Sequence, residues 1–267
     1  VDGVEVAASP ASPLAGLSPG SLAGYWRFQR AVAKAQLAAW LPAGRRVLID
    51  ISGPYASGSA QAAAGGHCVI RALPALPLPA HPRAAKASPG TITPVVADPV
   101  SLAFLADGCA DGVIAEDGAL SRQLMTEDLA AEIARVLRPG GGLFACVDSL
   151  VLGMAILAEQ HHWAHLTDLP HAEVVLIPWP DGTITRSFGA GQFRELLTEA
   201  GLEVSWIRPR TVLSPSMVDH VLRREPGAIA RLVRAELEAE QEGTVGPAQV
   251  ESFGISLLAA ARKPQAH

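Results

Sequence analysis

The chain has 267 residues, 49% of them hydrophobic and 18% charged, with a formal net charge of −5, which suits one sizeable core and an α/β domain with appended segments. The acidic balance and the lack of a Lys/Arg cluster exclude a nucleic-acid footprint. The central apolar run over residues 150–158 reaches only about half of the ~20 residues that a membrane-spanning helix needs, so no membrane partner is expected.

The first residues, Val1-Asp2-Gly3-Val4-Glu5, show no basic-then-apolar leader, and a cytoplasmic location is expected. Residues 1–20 mix Ala, Ser, Pro and Gly without period and predict a flexible arm, leaving 21–264 as a single domain. A helix is predicted over 21–40, with Leu22, Trp26, Ala33, Leu37 and Trp40 near helical spacing and Leu41-Pro42-Ala43-Gly44 as its stop. Tyr25 and Trp26 could lid a ligand, but such aromatics more often belong to the core, and core is the reading taken. Residues 47–58, V-L-I-D-I-S-G-P-Y-A-S-G, form an apolar strand closed by Asp50 and a turn of small residues. Such a turn is how a parallel strand hands over to a helix and lets a nucleotide-like ligand approach the backbone.

A short helix over 59–64 and a strand over 67–72 follow; the five prolines of 73–89 then forbid regular structure. Strands are predicted over 91–97, closed by Asp98, over 111–115, closed by Glu116-Asp117, and over 143–147, closed by Asp148. Between the last two lies a helix over 126–137, with Leu129, Ile133, Val136 and Leu137 on one side and Arg138-Pro139-Gly140-Gly141-Gly142 as its stop. Beyond Asp148 the pattern predicts one helix over 150–166, a strand over 173–179 and an amphipathic helix over 191–201. Two strands, 202–207 and 255–262, flank a charged helix over 228–242. Cys68, Cys109 and Cys146 are odd in number and far apart, which suits reduced thiols rather than disulfides or a metal cage.

Alternating strand and helix signals predict a doubly wound, Rossmann-like, mostly parallel sheet. Four of the five strands through 147 end in an acid, namely Asp50, Asp98, Glu116 and Asp148. Carboxylates at carboxyl strand ends suit a site that reads amines and hydroxyls. No Gly-Lys-Ser/Thr phosphate loop follows the first turn, and the G-x-G-x-x-G of a nicotinamide enzyme is missing.

Several segments together resemble class I S-adenosylmethionine-dependent methyltransferases over about residues 20–264. They are Val95-Val96-Ala97-Asp98, Leu102-Ala103-Phe104, Asp111-Gly112-Val113-Ile114-Ala115, Ala134–Phe144 with its L-R-P-G-G run, Phe193–Val204 and Leu257–Lys263. The resemblance implies a seven-stranded sheet with helices on both faces and the last strand antiparallel between the fifth and sixth. It implies S-adenosylmethionine as cofactor and methyl transfer to a small, partly apolar metabolite, with 150–190 and 208–250 as acceptor-pocket or cap insertions. Asp50 and Gly53 would lie by the methionine half, Asp98 with Pro99 by the adenine, and Glu116 by the methionine amine, with Ser52, Tyr55 and Arg71 as further cofactor-binding residues. The family's D-x-G-x-G-x-G loop carries Ser52, Pro54 and Ala56 at its glycine positions, and Arg71, a pure donor, stands near the place of the ribose acid. Those departures motivate an alternative, a protein of this fold without catalysis that senses a ligand, scaffolds or binds a partner.

Methyl transfer asks an enzyme to position donor and acceptor and, where the acceptor holds a proton, to remove it. His161, His162 and His165, in H-H-W-A-H, titrate near neutrality and are candidate bases, although the same stretch also reads as a helix cap or packing. His161 and His165, four residues apart, would hold a metal only with a third ligand, and no metal centre is expected. Asp148 is a further candidate, for orienting the acceptor. The expected partner is a small-molecule substrate, and a homodimer is left open.

Overall fold

The structure, a computed structural model, describes residues 23–53, 56–74, 89–98, 101–169, 172, 174–179, 181–242 and 254–265. The 1–20 arm and nearly all of the proline-rich 73–89 stretch lie outside the described residues.

Strands β1 (Val47–Asp50), β2 (Cys68–Leu73), β3 (Thr91–Val96), β4 (Ala110–Ala115) and β5 (Leu137–Ser149) run parallel in the order β3-β2-β1-β4-β5. Two further strands, β6 (Val175–Pro178) and β7 (Ile184–Phe188), form a hairpin, while β8 (Glu203–Pro209) pairs with the last strand, β9 (Ser256–Arg262). Strand β9 lies antiparallel between β5 and β8, in register from Gly142↔Arg262 to Asp148↔Ser256. Apolar residues alternate across the sheet as period-two geometry requires. Leu143, Ala145 and Val147 of β5 face one core with helices α3 (Thr126–Val136) and α6 (Ala190–Glu199). Phe144 and Cys146 face the other, with α1 (Ala23–Trp40) and α2 (Gly58–Ala64).

The sheet has nine strands rather than seven. The two additional strands are the hairpin: Asp148 and Ser149 of β5 pair with Ser187 and Phe188 of β7. Because Asp148 also pairs with β9 on its other edge, β7 must continue the edge on which β4 has already ended at Ala115↔Ala145. The hairpin therefore caps the carboxyl end of β4. Thr185, Arg186 and Ser187 are polar but buried, so no hydrophobic alternation announces β7 in the sequence.

The single helix expected over 150–166 is two, α4 (Leu150–Glu159) and α5 (Trp163–Asp168). His161 sits at φ +60°, its N–H bonds Ala158 O at 3.0 Å, and the His162 N–H bonds Leu157 O at 2.8 Å. That pair of bonds around a left-handed residue is a Schellman stop, here with His where Gly is usual. Strand β5 is longer than expected, because it begins at Leu137 directly after α3; its register with β4 then shifts across Arg138–Gly141, with Gly140 at φ +78°, before Gly142 pairs with Gly112 and Arg262. Helix α7 (Pro215–Arg224) was not anticipated; Ser214 caps it and Pro215 occupies its first turn, a legitimate helix start. After a 3-10 turn at Pro226–Ala228 comes α8 (Ile229–Glu242), and α1, α7 and α8 share a core of Tyr25, Phe28, Val32, Val218 and Leu222. Tyr25 is thus core, as expected. Cys68, Cys109 and Cys146 are free thiols. Among the described residues no helix is long and apolar enough to cross a membrane.

Candidate functional site

The loop after β1 is held by side chains rather than by glycines. Asp50 is fully buried; one of its oxygens accepts the Ser52 N–H at 2.9 Å and the other accepts the Ser59 hydroxyl. Ser52 reaches across to β4, its hydroxyl accepting the Glu116 N–H at 2.8 Å. Arg71, from β2, donates to the carbonyls of Gly53 and Ala56, both at 3.4 Å. Asp50, Ser52 and Arg71 thereby shape this turn from inside.

Gly53 faces the loop after β4. A Cβ there would stand 2.5 Å from Asp117 Oδ2 and 2.7 Å from Arg122 Nη1, so the absence of a side chain is what lets this ion pair, 3.1 Å long, lie on the β1 loop. Asp117 is held at φ +57°, a conformation in which Asp is tolerated but uncommon. Burial pushes its carboxyl up, with Arg122 and Arg210 opposing. Glu116 points elsewhere: its Oε1 meets Arg210 Nη2 at 2.6 Å, both side chains being nearly buried. Asp148 completes the cluster from the end of β5. Burial raises its carboxyl to about 6, against the Arg122 charge and the Thr185 hydroxyl, while the Asp117 charge adds to the rise. The Asp148 N–H donates to Ser121 Oγ at 2.8 Å.

Of the residues singled out in the sequence, the structure brings Asp50, Ser52, Gly53, Arg71, Glu116 and Asp148 to the carboxyl ends of β1, β2, β4 and β5. Asp98 is exposed just past β3, its carbonyl accepting the Ser101 N–H at 3.1 Å. Tyr55 and Pro99 lie outside the described residues, as does the side chain of His165. His161 and His162 lie on the α4–α5 turn; His162 lines a cavity of about 230 Å³ with Leu157, Leu169, Val175 and Leu176, and none of the residues around Asp148 borders it. Sequence reading did not single out Arg122, Thr185 or Arg210. Arg122 stands in a turn without periodicity, and Thr185 and Arg210 belong to elements that become neighbours only on folding. The acid repeated in Glu116-Asp117 was the available signal for Asp117.

No protein-family model matches the chain, and no curated protein matches it in sequence. Solved structures do match its fold. The 1,6-didemethyltoxoflavin-N1-methyltransferase of Burkholderia thailandensis, solved with 1,6-didemethyltoxoflavin and S-adenosylhomocysteine, is 17% identical with TM-score 0.55, over 97% of this chain and 94% of that one. An S-adenosylmethionine-dependent methyltransferase of Mesorhizobium loti is 17% identical with TM-score 0.54, over 88% and 100%. One of Methanosarcina mazei is 15% identical with TM-score 0.53, over 86% and 98%. At these identities the likeness establishes architecture: the chain has the class I methyltransferase fold, with β9 as the inserted antiparallel strand and the β6–β7 hairpin as an addition.

Proposed function

We propose that the chain is an S-adenosylmethionine-dependent methyltransferase acting on a small molecule at an oxygen or nitrogen that still carries a proton. The observation that carries this reading is the set of groups converging at the carboxyl strand ends of this fold: the Asp117–Arg122 pair lying on Gly53, with the Asp148 carboxyl beside it. A zwitterionic amino-acid head requires a carboxylate for its ammonium and a guanidinium for its carboxylate, and Asp117 with Arg122 fits that requirement. Glu116 is neutralised by Arg210, so Asp117 takes the place first expected for Glu116. Exposed Asp98 is an acceptor for an exocyclic adenine amine.

When bound, S-adenosylmethionine supplies a methyl group made electrophilic by its sulfonium. The chain's residues supply orientation and a base. With a pKa of about 6, Asp148 is ionised at neutral pH yet basic enough to take a proton, which is where general-base catalysis is efficient. In this reading His161 serves to end α4. A small acceptor is supported by the acidic net charge, by the hairpin that roofs the site, and by the Burkholderia neighbour, whose name records an N-methyltransferase. Isothermal titration with S-adenosylmethionine and S-adenosylhomocysteine should give saturable heat. Neither heat nor a thermal shift at millimolar ligand would overturn the proposal and favour the non-catalytic alternative.

A further inference from the structure

Strand β6 is the outermost strand on its side of the sheet and, among the described residues, pairs with β7 alone. The Trp179 N–H bonds Thr183 O across the hairpin at 2.7 Å. In an antiparallel pair the backbone groups of alternate residues face the partner, so Val175 and Ile177 face β7, and Leu176 and Pro178 face away from it. The Pro178 carbonyl bears this out, accepting Gln160 Nε2 at 2.8 Å from the end of α4. Leu176 thus turns both an N–H and a C=O outward, and among the described residues no hydrogen bond meets either.

The cavity of about 230 Å³ lies against that edge. Val174, Leu176 and Pro178 belong to one face of the strand and Val175 to the other, so a space bordered by all four runs along the outer edge. Leu157 of α4 and the α5 segment, with His162, Leu169 and Ala172, form the opposite wall. The left-handed stop at His161 ends α4, and the α5 segment brings Leu169 back onto the cluster of Leu152, Ile156, Leu157 and Val175. An apolar space of this size is unusual beside a close-packed cluster. Val174 and Leu176, 49% and 47% exposed, stand at its mouth. Ser187 pairs with Val175 on one side and Asp148 on the other, so two strand spacings, about 10 Å, part the cavity wall from the candidate base.

We propose that this cavity is a binding site, separate from the methyl-transfer site, for a small neutral bicyclic heteroaromatic whose ring N–H donates to the Leu176 carbonyl. Size sets the ring system: a dry cavity of about 150 Å³ holds benzene, and one half as large again holds a fused bicycle of about nine heavy atoms. Wall chemistry sets the charge, because His162 is the only ionisable residue among the described lining residues. The outward backbone of Leu176 supplies the polar contact that fixes orientation in a mostly apolar pocket.

Indole is the probe, added to the full chain without cofactor and followed by NMR of 13C-labelled Val and Leu methyls. It should shift the signals of Leu157, Val175 and Leu176 saturably and leave Val147 of β5 unmoved. Its analogue 1-methylindole, which puts a methyl where the donated proton was, should bind about tenfold more weakly or worse. Ala172→Phe fills the space and should weaken indole by at least about tenfold. Absence of saturable shifts at millimolar indole, shifts confined to other methyls, unchanged binding in Ala172→Phe, or equal affinity for 1-methylindole overturns the site. Should circular dichroism show that Ala172→Phe does not fold, the methyl map and the 1-methylindole comparison in the wild-type chain decide.

Discussion

Gly53 is where a missing side chain matters most to the site. Its hypothetical Cβ would meet Asp117 Oδ2 and Arg122 Nη1 at 2.5 and 2.7 Å, and both atoms are ends of side chains that can swing away. Gly53→Ala should therefore cost the fold less than about 1 kcal/mol while displacing the ion pair and weakening S-adenosylhomocysteine by about tenfold or more. Calorimetric titration and a thermal melt on the same variant check this; lost stability with unchanged affinity would make Gly53 a scaffold residue. Asp148 carries the opposite balance between stability and function. Burial holds its folded-state carboxyl at about 6, above its ordinary 3.8. Between those values the folded chain binds more protons than the unfolded one, so this group's contribution to stability is present at low pH and is lost as pH rises through about 6. Asp148→Asn removes that loss. Above pH 6 the variant should be more stable than wild type by about 1–3 kcal/mol, with the gap narrowing as pH falls toward 4, and methyl transfer should be lost. Urea unfolding at several pH values measures the gap, and a constant gap would refute the assignment of the raised carboxyl.

At the scale of elements, the segment that follows β8 ties the helical cap to the strand ends. The Arg210 N–H bonds Ser256 O and its carbonyl accepts Gln36 of α1, both at 2.9 Å. Thr211 meets the Tyr25 hydroxyl at 3.0 Å, and buried Glu236 of α8 accepts the N–H groups of Val212 and Leu213. These bonds deliver Arg210 to Glu116 with both side chains out of water. A buried pair is worth little in net stability, but removing one member strands the other. Arg210→Met should therefore cost about 3–5 kcal/mol, and adding Glu116→Gln should restore most of it. Equilibrium denaturation of both variants is the check, and a single-variant loss below about 1 kcal/mol would show that Glu116 finds relief from water or a proton. The histidine turn is a second case at this scale. The backbone N–H groups of His161 and His162 end α4, a stop set by the positive φ of His161.

At the scale of the whole molecule, two sets of additions meet over one sheet: the β6–β7 hairpin on the β4 edge of β5, and the α7–α8 unit packed on α1. The segments expected as insertions, 150–190 and 208–250, contain these elements, and both send residues to the strand ends, Ser187 and Phe188 by pairing with β5 and Arg210 by meeting Glu116. Much of the scaffold was legible beforehand. Buried parallel strands are continuous apolar runs, and Pro/Gly stops separate them from amphipathic helices. Each of β1 to β5, α3 and α6 carries its signal within its own residues. The same locality made Asp50, Gly53, Glu116 and Asp148 visible, because an acid or a glycine at a strand end is a feature of neighbours in sequence. What the sequence by itself determined was thus the alternation of elements, the class I methyltransferase order and the acids at the strand ends. Only the tertiary structure decided which acids stay available. Asp50 is spent on Ser52 and Ser59, Glu116 on Arg210, while Asp117 and Asp148 share Arg122 at the site. The physical reason is that hydrogen bonds and ion pairs act over a few ångströms in space, and the partner that settles Glu116, Arg210, lies 94 residues away along the chain.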